Sequence, residues 1–282
     1  ASIPEYEYKL SNKSPLPIAA GRGSVFETRY GERMKATLGL VALIAALSLA
    51  LSAPAAEITV LSGNAIEPGL TPAAAAFGKQ AGHTVRITFA TTPERRKRIA
   101  AGEVFDVVIV PPDVVEEFAK AGKIDAERVY VGRAGLGVAI RPGAPAPDVS
   151  SAEALRRAVL AADSVVFNRA STGLYFERLL KKMGVYEQIE GKTTRYGDGT
   201  AVMEHLLKGK GREIGFGATT EILAYKDKGL RLVGPLPAEI QNYTSYEAVI
   251  MSAGTNKEAA QAFVRFLGGP VGKPLFVTAG IE

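Results

Sequence analysis

Several short segments of small polar residues combine hydroxyl groups with turns that lead into predicted helices. They are Ser62-Gly63-Asn64, Thr91-Thr92, Ser171-Thr172-Gly173, Gly199-Thr200-Ala201 and Thr219-Thr220-Glu221. Hydroxyls and the free N–H groups of a helix N-terminus are donors that suit an anion. Each segment also fits a purely structural role, because Ser and Thr are preferred N-caps and Pro93 suits a first helical position. Hydroxyls at four such junctions favour a small-anion site.

Residue patterns typical of catalysis, metal binding or nucleotide binding are absent from the sequence. The two histidines, His83 and His205, have no second histidine at ligand spacing. Neither a G-x-S-x-G elbow nor a phosphate-binding G-x-x-x-x-G-K-[ST] loop occurs. Asp106 and Asp113 fit a turn residue and a helix cap. We therefore expect no enzyme activity, no metal and no cofactor.

The charge balance argues against a nucleic acid partner. Without residues 1–56 the chain has 28 Lys/Arg and 25 Asp/Glu, a net charge of +3. The basic cluster Arg95-Arg96-Lys97-Arg98 has no aromatic residue interleaved with it, so we expect it to form a solvated helix face. Cysteine is absent, which excludes disulfides and thiolate metal sites.

The elements that must position the polar segments alternate between short β-branched runs and amphipathic stretches. The predicted strands are 57–61, 84–89, 104–110, 128–140, 164–168, 193–196, 213–216, 230–233 and 246–251. The predicted helices are 68–81, 93–101, 112–121, 151–161, 172–183, 200–208, 219–227, 257–267 and 270–279. This alternation predicts an α/β fold with mixed, mostly parallel sheets. Ligands of such sheets lie beyond the carboxyl ends of the strands, where the polar segments fall.

An apolar segment near the start of the sequence has the layout of a secretory signal peptide. Met34 and Lys35 precede the uncharged run 38–51, and small residues follow up to Ala56. The run is shorter than the roughly 20 residues that span a bilayer, and Ala53-Pro54-Ala55 fits a cleavage site. We expect export by a signal peptide at 34–56, with an uncleaved membrane anchor as the alternative.

Residues 1–33 show neither a helical nor a strand period and mix Pro, Gly, Ser and charged residues. Such a composition predicts disorder. Because Met34 is followed at once by the signal-like segment, we expect native translation to begin at Met34. The upstream residues would then be a start-site artefact or sequence added for expression.

The carboxyl-terminal third carries the most specific motif in the chain. The strand 246–250 (YEAVI) is followed by 256–267 (NKEAAQAFVRFL) and then by Gly269-Pro270, Phe276 and Gly280-Ile281. These segments, together with 101–108 (AGEVFDVV) and 215–221, resemble type II periplasmic binding proteins. The resemblance is closest to the molybdate-binding protein family of ABC importers, and it covers residue 57 to the end.

This resemblance implies two Rossmann-like lobes joined by a two-segment hinge, with the ligand in the cleft between them. One lobe would hold 57–141 plus 246–282, and the other 142–245. The Pro-rich segment 141–147 lies at the first crossing and 235–245 near the second, and both have the composition of connectors. Closure about them would be a ligand-driven population shift.

The resemblance also implies which residues contact the ligand. The matching positions are Ser62, Gly63, Asn64, Thr91, Thr92, Ser171, Thr172, Gly173, Thr200, Ala201, Ala218 and Thr219. The family commonly presents a Tyr hydroxyl where this chain has Ala218, so molybdate itself stays open and the extra space favours a larger organic anion. Arg169, beside the third segment, is expected either to clamp a carboxylate or to form a surface ion pair.

The expected function is that of a monomeric periplasmic protein that delivers a small anion to the permease of an ABC importer. Two alternatives stay open: a molybdate or tungstate binder proper, and a sensor or effector-binding protein on the same fold. The sensor alternative predicts a fused DNA-binding or signalling segment, and residues 1–33 show no helix-turn-helix pattern. Membrane contact would occur only through the permease or an uncleaved signal.

Overall fold

The computed structural model describes residues 55–282. The predictions for 1–33 and for the signal peptide at 34–56 therefore fall on residues that, except for Ala55 and Ala56, lie outside the described part. Within 55–282, no helix combines the length and the apolar character needed to cross a bilayer.

Nine strands form in the described part of the chain. They are β1 Glu57–Ser62, β2 Thr84–Phe89, β3 Val107–Val110, β4 Ile124–Ile140, β5 Ser164–Asn168, β6 Thr193–Tyr196, β7 Glu213–Ala218, β8 Arg231–Pro235 and β9 Tyr243–Met251. Their β-branched residues suit a pleated surface. All four residues of β3 are buried, as expected for a strand that is apolar throughout and covered on both faces.

Ten α-helices accompany these strands in residues 55–282. They are α1 Glu67–Ala81, α2 Thr92–Ala100, α3 Pro112–Lys120, α4 Ala152–Ala161, α5 Ser171–Lys182, α6 Tyr186–Ile189, α7 Gly199–Lys208, α8 Thr219–Ala224, α9 Lys257–Gly268 and α10 Gly272–Thr278. Every predicted strand and helix is found. The short helix α6 and four 3-10 turns, at 64–66, 190–192, 226–228 and 238–240, were not predicted, because each is too short to show a period.

The strands form a mixed sheet in the order β2-β1-β3-β9-β4-β7-β5-β6, with β8 also paired to β4. The pairs β1–β2, β1–β3, β5–β6 and β5–β7 are parallel. Every antiparallel pair includes β4 or β9. The mixed α/β fold is confirmed, while parallel pairs are less dominant than predicted because β4 and β9 run against their neighbours.

The long strand β4 links two groups of strands. Its residues 124–135 pair with β9, and its residues 136–140 pair with β7. Each group has apolar clusters on both faces: Phe77 and Phe263 pack against one face of the first group, and Phe118 lies against the other. In the second group, Phe176 and Met203 belong to separate clusters. Two cores therefore flank β4, as in a two-lobed protein.

Candidate ligand-binding site

A cavity lies where the carboxyl ends of β1, β2, β5 and β7 meet the start of β9. It has an empty volume of ≈360 Å³, part of it open to solvent. Six of the predicted site residues line it: Gly63, Asn64, Thr91, Thr92, Ser171 and Thr172.

Other predicted residues support the cavity wall from behind. Ser62 is fully buried at the end of β1, and its hydroxyl has no hydrogen-bond partner within 55–282. Gly173 packs against Asn168, where a Cβ atom would lie 1.8 Å from the Asn168 carbonyl oxygen. Ala218 donates its backbone N–H to Glu221. These residues shape the site through backbone and packing contacts.

The remaining predicted residues lie outside the cavity lining. Thr200 and Ala201 are in the first turn of α7, where the Ala201 N–H is capped by Asp198 at 2.9 Å. Thr219 turns its methyl group towards Gly137. Arg169 is exposed and donates to the Arg195 carbonyl at 3.0 Å. The structure therefore does not place the Arg169 guanidinium beside a ligand in this cavity.

Nine residues that were not among the predicted site residues complete the lining, and they include all of its charged side chains. They are Ala65, Ala90, Arg95, Asn168, Ala170, Asp198, Gly199, Glu221 and Tyr246. Arg95 contradicts the expectation of a solvated basic face, because only 1% of it is exposed. Arg95 lies three residues after Thr92, so the two side chains lie on the same side of a helix. This spacing could have indicated from the sequence that Arg95 belongs to the site.

Arg95 is a buried cation held by backbone and hydroxyl oxygens. One terminal nitrogen donates to the Ile109 carbonyl and the other to the Thr92 hydroxyl at 2.8 Å, while Nε has no partner. Burial lowers the pKa of Arg95 to about 10. The guanidinium is therefore still protonated at neutral pH. None of its hydrogen-bond partners in the described part of the chain is a carboxylate, and a buried cation in that position attracts an anion strongly.

Gly63 makes room for this guanidinium. A Cβ atom at position 63 would lie 3.0 Å from Nη1 and 3.1 Å from Nη2 of Arg95. The segment Ser62-Gly63-Asn64 therefore contributes to the site partly through a steric effect. Because Gly63 has no side chain, the loop after β1 can approach the buried guanidinium.

Two hydroxyls join the halves of the cavity. Ser171 Oγ, at the start of α5, donates to Thr92 Oγ1, at the start of α2, over 2.9 Å. Thr92 Oγ1 also accepts from Arg95, so the three side chains form one network. Thr91 Oγ1 accepts from the Glu94 N–H at 3.4 Å and acts as the N-cap of α2. Thr91 and Thr92 therefore both line the cavity and stabilise the local structure at the start of α2.

Asn168 fixes the start of α5. It is 1% exposed, and its Oδ1 accepts the backbone N–H groups of Ala170 and Gly173, both at 3.0 Å. The N–H groups of Ser171 and Thr172 lie between them in the first helical turn, where no intrahelical acceptor exists. The helix therefore offers N–H donors at the cavity wall.

Glu221 is a largely enclosed carboxyl group on the opposite wall. A methyl group at Gly199 would lie 2.2 Å from a carboxyl oxygen of Glu221, and the Ala218 N–H donates to the same oxygen at 3.3 Å. Burial raises the pKa of Glu221 to about 7, against the lowering effect of that N–H. The negative charges of Asp198 and Glu67 raise the pKa further. Both protonation states are therefore populated near neutral pH.

Tyr246, near the start of β9, lies within electrostatic reach of both Arg95 and Glu221. Burial raises the pKa of Tyr246 to about 12, Arg95 opposes the rise and Glu221 adds to it. The hydroxyl is therefore protonated at physiological pH. A buried cation, a neutral hydroxyl and a carboxyl that titrates near 7 can together hold an anion and exchange a proton with it.

A two-lobed α/β architecture with a polar cavity at the strand ends, which contains a buried arginine, is typical of a periplasmic-type binding protein. In agreement with this class, the family model "bacterial extracellular solute-binding protein" matches residues 58–282. The chain belongs to that family. The predicted likeness to type II periplasmic binding proteins near the molybdate-binding proteins is confirmed.

Individual relatives point to two different activities. The chain is 29% identical to an aconitate isomerase of a Pseudomonas species over 241 residues, covering 82% of this chain and 90% of the relative. It is 27% identical to a molybdate-binding protein of Azotobacter vinelandii over 238 residues, covering 82% and 92%. The solved periplasmic molybdate-binding protein of Azotobacter vinelandii superposes with a TM-score of 0.66 at 18% identity, covering 80% of this chain and 98% of that one.

The isomerase relative contradicts the expectation that the chain has no enzyme activity. That expectation was based on the absence of hydroxyl, thiol or histidine nucleophile motifs. A carboxyl group whose pKa is set by burial has no such sequence signature, and Glu221, the third residue of α8, looks like an ordinary first-turn acid in the sequence.

Proposed function

We propose that this chain binds a small carboxylate anion in the cavity between Arg95 and Glu221 and delivers it to an ABC importer. The buried Arg95 guanidinium carries the proposal, since it has no carboxylate partner within residues 55–282. A planar guanidinium matches the two oxygens of a carboxylate. The N–H groups at the start of α5 and the Ser171 and Thr92 hydroxyls would complete the ring of donors.

A carboxylate suits this site better than a tetrahedral metal oxyanion. The protonated form of Glu221 can donate to a second carboxylate group. The similarity to an aconitate isomerase supports the same ligand class, since aconitate is a tricarboxylate. Molybdate or tungstate is the competing ligand, supported by the relative from Azotobacter vinelandii.

The proposal also includes the predicted lobes, the monomeric state and the periplasmic location. The lobes would be 57–141 plus 246–282 and 142–245, with the segments 141–147 and 235–245 as the hinge. The protein would act as a monomer in the periplasm after removal of the signal peptide at 34–56. Ligand contacts by the six predicted residues that line the cavity and by Arg95 would draw the lobes together around the anion.

A thermal-shift panel on the purified chain tests the ligand class. It should include cis- and trans-aconitate, citrate, sulfate, molybdate and tungstate. A ligand present at 100 times its dissociation constant stabilises the folded state by about 2.7 kcal/mol. We expect the largest shift from a polycarboxylate. Shifts from molybdate and tungstate alone would replace the carboxylate proposal by the metal-oxyanion alternative.

A second candidate function, isomerisation of the bound carboxylate, is favoured by Glu221. The ionised carboxylate would take a proton from a saturated carbon next to a C=C bond of the ligand. The C–H electron pair would form a new C=C bond, and the old π pair would accept the proton from Glu221 at its far carbon. The ligand keeps its formula, so the step requires no oxidant or reductant. A group with a pKa near the working pH is suited to both transfers.

This activity can be tested separately from binding. Incubation of cis- or trans-aconitate in D₂O, followed by ¹H NMR, should show the other isomer, with deuterium at the carbon that received the proton in the fraction of turnovers in which the Glu221 proton exchanges with solvent before its return. Glu221→Gln should still bind the ligand but lose the conversion. Binding without conversion or exchange by the wild-type chain would leave transport binding as the function and exclude this proton transfer.

A further inference from the structure

A second chamber adjoins the cavity on the solvent side of the Thr92–Ser171 hydrogen bond. It has an empty volume of ≈900 Å³, part of it open to solvent, and it shares Thr92 and Ser171 with the cavity. Its other walls include Pro112, Tyr175, Arg178 and Tyr243. We call it the outer chamber.

One face of α5 leads from the cavity into the outer chamber. Ser171, Leu174, Tyr175 and Arg178 all line the chamber and are spaced i, i+3, i+4 and i+7 along the helix. Arg178 lies about 10 Å along the helix axis from Ser171. Helical side chains lean towards the N-terminus, so its guanidinium is brought back towards the cavity.

The two arginines of the outer chamber differ in their partners. Arg96 donates to Glu117 and Asp113, both at 2.7 Å, so its charge is already neutralised. Arg178 is exposed, and within residues 55–282 no carboxylate lies within ion-pair distance of it. Its five N–H donors are therefore available to a ligand that enters this chamber.

We propose that the outer chamber is a second anion subsite, in which Arg178 binds the distal carboxylate of a polycarboxylate whose first carboxylate is held at Arg95. This inference rests on the proposed carboxylate-binding function. The subsite would make the ligand a di- or tricarboxylate, since Arg95 and Arg178 line different chambers and each would bind its own carboxylate group. The Tyr175 hydroxyl is already bonded to the Ile240 carbonyl at 2.8 Å, which leaves Arg178 as the main polar group of this wall.

The test compares Arg178→Gln with wild type by calorimetric titration of the full chain with a tricarboxylate such as trans-aconitate. Loss of a charge-assisted pair should weaken binding about tenfold to a hundredfold. Arg157→Gln is the matched control, because Arg157 is an exposed arginine on α4, its side chain being 62% exposed. It removes the same charge at a distance from both chambers and should leave the affinity unchanged.

A ligand analogue with one carboxylate replaced by a carboxamide separates a subsite from general charge attraction. If Arg178 contacts the distal carboxylate, Arg178→Gln should cause little further loss with the analogue that lacks that group, so the two losses are not additive. Equal affinity of Arg178→Gln and wild type for the tricarboxylate would overturn the subsite while leaving the proposed function intact. Absence of carboxylate binding by wild type would instead overturn the proposed function, and the subsite with it.

Discussion

At the scale of single residues, the site depends on a buried cation and a half-buried carboxyl group. Arg95 has no carboxylate partner within residues 55–282, and desolvation raises the pKa of Glu221 to about 7. A buried cation facing a carboxyl that is neutral or charged according to pH is an arrangement found at functional sites more often than in structural cores. Two substitutions test these residues directly.

Gly63→Ala should weaken ligand binding without disturbing the fold elsewhere. The added methyl group would contact the Arg95 guanidinium at 3.0–3.1 Å and shift it from its place in the cavity. We expect about a tenfold loss of affinity, the size of one charge-assisted hydrogen bond. Gly191→Ala is the control, because a Cβ atom there meets nothing within 4 Å. Unchanged affinity of Gly63→Ala would show that the guanidinium does not contact the ligand.

Glu221→Gln should change how stability depends on pH. The pKa of Glu221 in the folded state is raised to about 7 from its ordinary value of 4.5, so the folded protein binds this proton more tightly than the unfolded chain does. The stabilisation linked to that proton is complete below about pH 4.5 and is lost as the pH rises through 7. The variant should therefore gain stability relative to wild type between pH 5 and pH 8. Denaturant titrations at both values measure this, and a constant difference would contradict the raised pKa.

At the scale of elements, the site is built from helix N-termini that short polar segments position. Asn168, Asp198 and Thr91 each accept backbone N–H groups at the start of a helix. The resulting turns bring α2, α5 and α7 to one place at the ends of the strands. Most of these capping residues also line the cavity. A substitution at such a residue therefore changes both helix stability and ligand binding, and a matched pair of substitutions is needed to separate the two effects.

Asn168→Ala and Ser151→Ala form such a pair. Asn168 accepts two N–H groups at the start of α5, so its loss should destabilise the protein by about 1–3 kcal/mol and also weaken binding. Ser151 caps α4 through the Ala154 N–H at 3.1 Å, away from the cavity, and its loss should cost about 1 kcal/mol with no change in affinity. Equal effects of both variants on affinity would mean that the start of α5 does not bind the ligand.

Elements were predictable from the sequence because their signals are local. The apolar run of β3 and the Thr91-Thr92-Pro93 start of α2 mark those elements within a few residues. The burial of Arg95 was not predictable in this way, since it depends on the Ile109 carbonyl and on the space at Gly63, which are distant in sequence. The antiparallel pairings of β4 and β9 likewise follow from chain crossings that no local pattern encodes.

At the scale of the whole molecule, few polar contacts join the two groups of strands near the site. Thr220, fully buried at the start of α8, donates to the Ala65 carbonyl at 2.5 Å, beside the end of β1. Ser171 and Thr92 form a second such contact. Contacts of this kind would stabilise a closed arrangement only modestly, so under the proposed function a ligand could shift the population between open and closed forms.

Thr220→Val should weaken ligand binding although Thr220 does not line the cavity. Valine keeps the shape of the side chain but loses the bond to Ala65, so the closed form becomes less populated and the apparent affinity falls several-fold. Thr278→Val is the control, because it removes a similar hydroxyl–carbonyl bond, to Pro274 at 2.9 Å, within α10. Titration calorimetry on both variants measures the effect, and identical affinities would show that this contact does not control closure.

The central claim, that the cavity binds a carboxylate anion through buried Arg95, is tested most directly by calorimetric titration of the purified chain. Separate titrations with trans-aconitate, citrate, sulfate and molybdate should be run for wild type and for Arg95→Lys, which keeps the charge but loses the planar fork. The predicted result is one polycarboxylate molecule bound per chain, with affinity reduced at least tenfold by Arg95→Lys. Tight binding of molybdate with no heat from any carboxylate would contradict it.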